Sequence, residues 1–324
     1  MKKISSQQPA ARAALPISRR RFMQLAVSGS AMLSACTGIG GHQKAMQQKP
    51  LRIAFFTDSH ARVEWGTPIA MQRAARAINA QKPDIIIGGG DYITDGFEYS
   101  AQTVAPRWDV FTDFYNTLEA PTYLTIGNHD LVGAIPKDGS QPQADPKAIY
   151  RQKFGLDNTY YSFDFGGYHF MMLDSVQVIG GEFKYRGFID EEQQAWIRQD
   201  LEKVGREKPI IVCLHIPLLT TFYQFRKGAT FAAQPNRVMV NNREVLALFE
   251  NYNLRLVMQG HLHVKERIEW NNINFIMGGA ICGKWWRGPW QGTPEGFAVI
   301  SMYPDKIDWK YISYGWIAKR PKNA

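Results

Sequence analysis

The chain has 324 residues, 45% apolar and 13% aromatic, enough to bury a substantial core, which excludes a wholly disordered polypeptide. Its formal net charge is +9, but residues 1–35 carry Lys2, Lys3, Arg12, Arg19, Arg20 and Arg21 and no acid. The remainder holds 32 basic against 29 acidic side chains, so the charge predicts no nucleic-acid partner.

In chain order, residues 18–24 read Ser-Arg-Arg-Arg-Phe-Met-Gln, which resembles the twin-arginine export motif. The apolar stretch that follows, residues 25–33, is too short to span a bilayer and reads as the core of a signal peptide. It runs into Leu33-Ser34-Ala35-Cys36, which resembles a bacterial lipobox, with Cys36 as the lipidated residue. The expected organisation is a signal peptide over 1–35, a flexible linker over 36–50, one domain over 51–318 and a polar tail over 319–324. The expected location is the periplasm or the cell envelope. The export machinery is then a partner, and the membrane is met only through an N-terminal lipid. Past Cys36 only Cys213 and Cys282 remain, too few for a disulfide framework. Buried free thiols are expected, with one late disulfide as the alternative.

The body alternates apolar runs with helical patterns, as an α/β domain does. Strands are expected over 51–57, 84–88, 122–126, 160–165, 169–173, 210–214 and 254–258, with a further set over 274–277 and 296–312. Helices are expected over 68–80, 107–118, 191–204 and 243–252, the third capped by Asp190. Residues 133–146 read as a long surface loop, bordering a site or merely connecting elements.

Metal-binding residue types gather at the C-terminal ends of five apolar runs. These ends carry Asp58 and His60; Asp91; Asn128, His129 and Asp130; His215; and His261 and His263. In α/β sheets such ends form the ligand-binding edge. Five of the seven histidines lie there, a placement that chance in a folded core does not readily give.

On these residues the chain resembles the calcineurin-like metallophosphoesterases. Asp-x-His, Gly-Asp, Gly-Asn-His-Asp, a lone His and Gly-His-x-His occur in that order from Asp58 to His263. The layout is similar to that of class III cyclic-nucleotide phosphodiesterases and is shared by phosphomonoesterases. The resemblance implies mixed sheets packed as a central sandwich flanked by helices. It also implies two divalent ions (Mn, Fe, Zn or Co), one on Asp58, His60 and His263, the other on Asn128, His215 and His261, with Asp91 bridging. The substrate would be a phosphodiester or phosphomonoester, attacked by a metal-bridging hydroxide. His129, left without a metal, would protonate the leaving group; the plainer reading is that it only orders Asn128.

Many relatives carry a further aspartate three residues after the bridging one, oriented toward this histidine. Here Asp95 lies four residues on, so Asp95 and Asp130 compete for that place. The metal-binding tyrosine of purple acid phosphatases would fall at Thr94, and Tyr92 would point the wrong way. In the segment from 278 to 296, Trp285, Trp286 and Arg287, with Arg226 further upstream, are candidate substrate contacts; core packing is the alternative for the aromatics. An inactive metal-binding scaffold of the same fold is the competing reading, disfavoured because all seven ligand positions and His129 are intact.

Overall fold

The structure, a computed structural model, describes residues 49–319; the expected leader, Cys36 and the last five residues lie outside them. Thirteen strands and six α-helices follow. They are β1 (Leu51–Phe56), α1 (Thr67–Ala80), β2 (Ile85–Gly88), α2 (Ala101–Thr117), β3 (Thr122–Leu124), α3 (Ala148–Phe154), β4 (Tyr161–Phe165) and β5 (Tyr168–Met172). Next come β6 (Val176–Gly180), β7 (Lys184–Gly187), α4 (Glu191–Val204), β8 (Ile210–Cys213), α5 (Phe222–Lys227) and α6 (Asn242–Ala247). The chain closes with β9 (Leu254–Gln259), β10 (Lys265–Trp270), β11 (Ile273–Gly278), β12 (Gly296–Met302) and β13 (Ile307–Ser313).

Two mixed sheets form the sandwich, ordered β13-β12-β1-β2-β3 and β10-β11-β9-β8-β5-β4, beside a small β6-β7 hairpin. The period-two alternation of strand side chains explains the layers. Ile53, Phe55, Ile85 and Ile87 meet Phe170, Ile211, Leu256 and Met258 between the sheets. The alternate residues Ala54, Phe56 and Ile86 share the other core with Met71 and Ile78 of α1 and Trp108 and Phe111 of α2. Because β1 and β2 are covered on both faces, they read as near-continuous apolar runs, broken only by Arg52 in β1. Each fully buried side chain of this kind contributes about 1.5–3 kcal/mol of transfer free energy.

The helix ends show where sequence and structure part. Asp190 caps α4 as expected, accepting from the Gln193 N–H at 2.9 Å. The Gln193 side chain does not reciprocate; it donates to the Asp174 carbonyl and accepts the Asp174 N–H. Helix α2 starts before Pro106, capped by Ser100, and carries that proline inside it. Helix α6 stops at Ala247, beyond which Phe249 and Glu250 bond three residues back, the tighter spacing of a 3₁₀ turn. No described helix is long and apolar enough to cross a membrane.

Candidate functional site

The polar strand ends converge, and they come from both sheets rather than one. Asp58 and His60 leave β1, Asp91 follows β2, and Asn128 and His129 follow β3, all in the first sheet. His215 follows β8, and His261 and His263 follow β9, in the second. All are buried except His129, whose side chain keeps 18% exposure. Asp58, His60, Asp91, His261 and His263 take left-handed backbone angles, with φ between 40 and 76°. Such angles cost non-glycine residues on the order of 1–3 kcal/mol and persist only where the surroundings enforce them. Here the two loops brace each other: the Asp58 N–H donates to the Gly90 carbonyl at 2.9 Å and the His60 N–H to the Asp91 carbonyl at 3.0 Å. At Gly127 a β-carbon would lie 2.3 Å from the Asp91 nitrogen and carboxylate, so only glycine fits.

The ring tautomers follow from the carbonyls around them, since a carbonyl only accepts. His215 Nδ1 donates to Gly89 O (2.7 Å), His263 Nδ1 to Gly283 O (2.6 Å) and His261 Nε2 to Asn236 O (2.9 Å). Their remaining nitrogens face other acceptors. His215 Nε2 is 3.2 Å from His261 Nδ1, and His263 Nε2 is 3.2 Å from His60 Nε2. One oxygen of Asp91 lies between these pairs, 3.1 Å from His215 Nε2 and 3.6 Å from His60 Nε2.

The carboxylates are oriented as firmly. Asp58 Oδ2 accepts from Thr57 Oγ1 (2.6 Å) and the His261 N–H (3.0 Å), which leaves Oδ1 3.1 Å from His263 Nε2. Buried Asp58 Oδ1 and Asn128 Oδ1 have no hydrogen-bond partner. Lone pairs so gathered repel one another unless positive charge lies among them. The titration shifts alternate accordingly. Burial works to lower all four rings, yet Asp91 and Asp58 push His215 up to about 9, and Cys282 and Asp58 raise His263. Burial prevails at the facing His261 and His60, which are lowered. Asp58, Asp91, Asn128 and the four rings therefore offer a donor set that fits two divalent cations sharing Asp91. Cys282 is buried and free, on the far side of His263, its Sγ 3.7 Å from Nδ1.

His129 stands apart. Its N–H donates to Asp91 Oδ1 at 2.8 Å, and its Nδ1 accepts the Asp95 N–H at 3.1 Å, so the neutral ring carries its proton on Nε2. Asp95 Oδ1 is 3.7 Å from Nδ1. Burial pushes the ring down to about 4 against the charge of Asp91. Asp130 faces away and clamps the Asp91 loop, accepting the N–H groups of Asp91 (2.8 Å), Tyr92 (2.7 Å) and Gly127 (2.9 Å). Of the two competing aspartates, Asp95 is the one beside His129. Thr94 bonds the His60 carbonyl, and Tyr92 is buried with its hydroxyl on the Thr125 carbonyl.

A cavity of about 460 Å³ opens beside His261 and His263, walled by Phe222, Tyr223, Trp285 and Trp290. Of the expected substrate contacts, Arg226 and Trp285 line it, and the Trp285 ring lies 4.0 Å from that of His60. The other two expected contacts do not line it. Trp286 is 2% exposed and donates its indole N–H to the His60 carbonyl, so it supports the site from within the core. Arg287 is exposed and faces Trp65. The left-handed pair 285–286 turns the chain between them. Arg237 also lines the cavity, and nothing in its local sequence marks it.

Comparison with known proteins gives a consistent result. The profile of the calcineurin-like phosphoesterase family matches residues 51–265. Purple acid phosphatase 23 of Arabidopsis thaliana is 27% identical over 181 residues, covering 52% of this chain and 34% of that protein. The chain thus spans about a third of the length of that relative. A 3',5'-cyclic-nucleotide phosphodiesterase of Nostoc sp. is 23% identical over 230 residues, covering 68% of this chain and 73% of that protein. Among solved structures, a dimetal phosphatase from Danio rerio superposes with a TM-score of 0.59 at 14% identity, covering 82% of this chain and 96% of that one. A purple acid phosphatase from yellow lupin superposes at 0.55 with 18% identity, covering 82% and 52% respectively.

Proposed function

Because the chain belongs to the calcineurin-like phosphoesterase family, we propose that it is a metal-dependent phosphoric ester hydrolase that works with two divalent ions. The observation that carries this reading is the single Asp91 oxygen set between two facing imidazole pairs. Asp58, His60 and His263 would hold one ion and Asn128, His215 and His261 the other, with Asp91 shared. Bound there, a pair of Mn, Fe, Zn or Co ions would lower the pKa of a water and neutralise phosphoryl oxygens.

The chain's own residues supply the rest. The backbone N–H of His129 fixes one Asp91 oxygen and leaves the other toward the rings. The Asp95 N–H sets the His129 tautomer, so that Nε2–H is available to the ester's leaving oxygen. A bound phosphate's negative charge would favour the doubly protonated, acidic ring, whose Nδ1–H would turn from the Asp95 N–H toward the Asp95 carboxylate, 3.7 Å away. Trp285, over His60, screens the site from water. The substrate is a phosphodiester or a phosphomonoester. Assay of the purified protein with Mn²⁺ against a panel of both tests this reading; no metal-dependent hydrolysis of any member would overturn it.

We further propose that the leader directs twin-arginine export to the cell envelope as a lipoprotein anchored through Cys36; the support is the sequence motif alone. Changing Arg19 and Arg20 to Lys should retain precursor in the cytoplasm, and Cys36→Ala should release the protein from membranes. Unchanged fractionation of both variants would reject the proposal.

A further inference from the structure

The cavity beside the histidines carries more positive charge than one phosphate ester requires. Arg226, Lys227, Arg237 and Lys284 line it, and no aspartate or glutamate does. Among the described residues, none of the four has a carboxylate within 4.0 Å, whereas Lys137, Lys147, Lys184 and Arg151 are all paired. Arg226 comes from α5 and Lys284 from the loop after β11, yet both converge on one ring. Their charged groups lie 5.1 and 4.9 Å from the centre of the Trp290 indole. Both charges lie within 5.1 Å of one ring centre, so they are at most about 10 Å apart, near the screening length of about 8 Å at physiological salt, and they repel each other. An anion between them turns that repulsion into attraction.

The remaining wall is aromatic. Trp285 leans over His60 and His263, with ring centres 4.0 and 5.4 Å apart, and so borders the donor set on one side and the cavity on the other. Tyr223 stacks on Phe231 at 5.9 Å, and both line the same space. The volume suits a small molecule, not a bare phosphate.

Resting on the phosphoesterase reading above, we infer that the substrate's esterifying group carries a flat ring and a second anionic group. The ring lies on the aromatic wall, and the anion is held by Arg226 and Lys284. A simple aliphatic phosphate would leave both features without a partner.

A matched pair of probes tests this: 3-carboxyphenyl phosphate and 3-carbamoylphenyl phosphate, similar in shape and different in charge. At low salt, about 50 mM, kcat/KM should favour the carboxylate on the order of 10-fold, and the preference should shrink as salt is added. In the R226Q/K284Q double variant the ratio should fall to about 1. Equal use of the two probes by the unaltered protein, or a preference that survives in the double variant, would overturn the inference. Calorimetry with the corresponding hydrolysis-resistant phosphonates separates this claim from the catalytic one. Charge-selective binding without turnover would count against the phosphoesterase reading and support the cavity's preference. Turnover without charge selectivity would do the reverse.

Discussion

At the start of β5, His169 is buried with a carboxylate on each ring nitrogen: Nδ1 is 2.8 Å from Asp164 and Nε2 is 2.9 Å from Asp200. At the opposite end of the same sheet, His215 and His261 are buried with ring nitrogens facing each other at 3.2 Å. Residue type and burial match, so neither separates the two sites. The partners do. Asp164 and Asp200 satisfy His169, and its protonated form is favoured against burial, so this cluster is complete as folded. The other end brings imidazole and carboxylate groups together around Asp91 as a donor set that would fit cations.

The largest effect should follow from removing the carboxylate shared by the two pairs. Asp91→Asn should lower activity by more than about 10²-fold and reduce the content of both metals. Elemental analysis of the folded variant finding two ions per chain would break the comparison at its centre. His169→Ala is the control and should leave metal content unchanged. Ion binding should also stabilise the fold: at 100 times Kd, Mn²⁺ should add about 2.7 kcal/mol, read as a higher Tm than in EDTA. That increment should fall in Asp91→Asn and persist in His169→Ala.

His129 tests whether a histidine of the rim can serve chemistry without serving as a ligand. His129→Ala should keep both metals and lose about 10²–10⁴-fold in turnover. The loss should be largest for esters with poor, alkoxide-like leaving groups and smallest for nitrophenyl esters. Equal losses on both would assign the ring to phosphate positioning. A smaller effect is expected at Asp130, which touches the site only through backbone. Asp130→Asn replaces one acceptor oxygen by a donor amide facing N–H groups and should cost about 10–100-fold in metal affinity. Titration with Mn²⁺ reads it.

Much of this was legible in the sequence, for a physical reason. Parallel strands buried on both faces are near-continuous apolar runs, broken only by Arg52 in β1 and Arg255 in β9, so β1, β2, β8 and β9 and the polar residues ending them stand out. Strand β10, with the sequence Lys-Glu-Arg-Ile-Glu-Trp, is a largely exposed edge strand and was not expected; nor was the β6–β7 hairpin. The division of the rim between two sheets depends on pairing, which local patterns do not carry. Trp285 and Trp286 are neighbours of the same type, and only the left-handed turn separates the cavity wall from the core. Asp95 reaches His129 with its backbone N–H from a left-handed residue (φ 52°), a placement that spacing along the chain does not reveal.

The smallest effect sharpens the comparison from the His169 side. Asp200 ties α4 to β5 through this ring, and Asp164, itself bonded to Lys208 at 2.5 Å, completes the cluster. Burial lowers the affinity of His169 for a proton, but Asp200 and Asp164 outweigh it and raise the ring above 6.5. A group whose pKa is raised on folding contributes stability that is fully present below its unfolded value and lost as pH climbs through its folded value. Against burial, the His169 hydrogen bond lowers Asp200, so the carboxylate's contribution is present above about 3.8 and lost as pH falls further. The ion pair is therefore at full strength between these limits. Asp200→Asn should cost about 1 kcal/mol at pH 5 to 6 and less as pH rises toward 9, with metal content and turnover unaltered. Urea melts of both proteins across that range measure the difference directly. A cost that stays flat with pH would show that His169 is held neutral, and the contrast between the two ends of the sheet would then rest on hydrogen bonding alone.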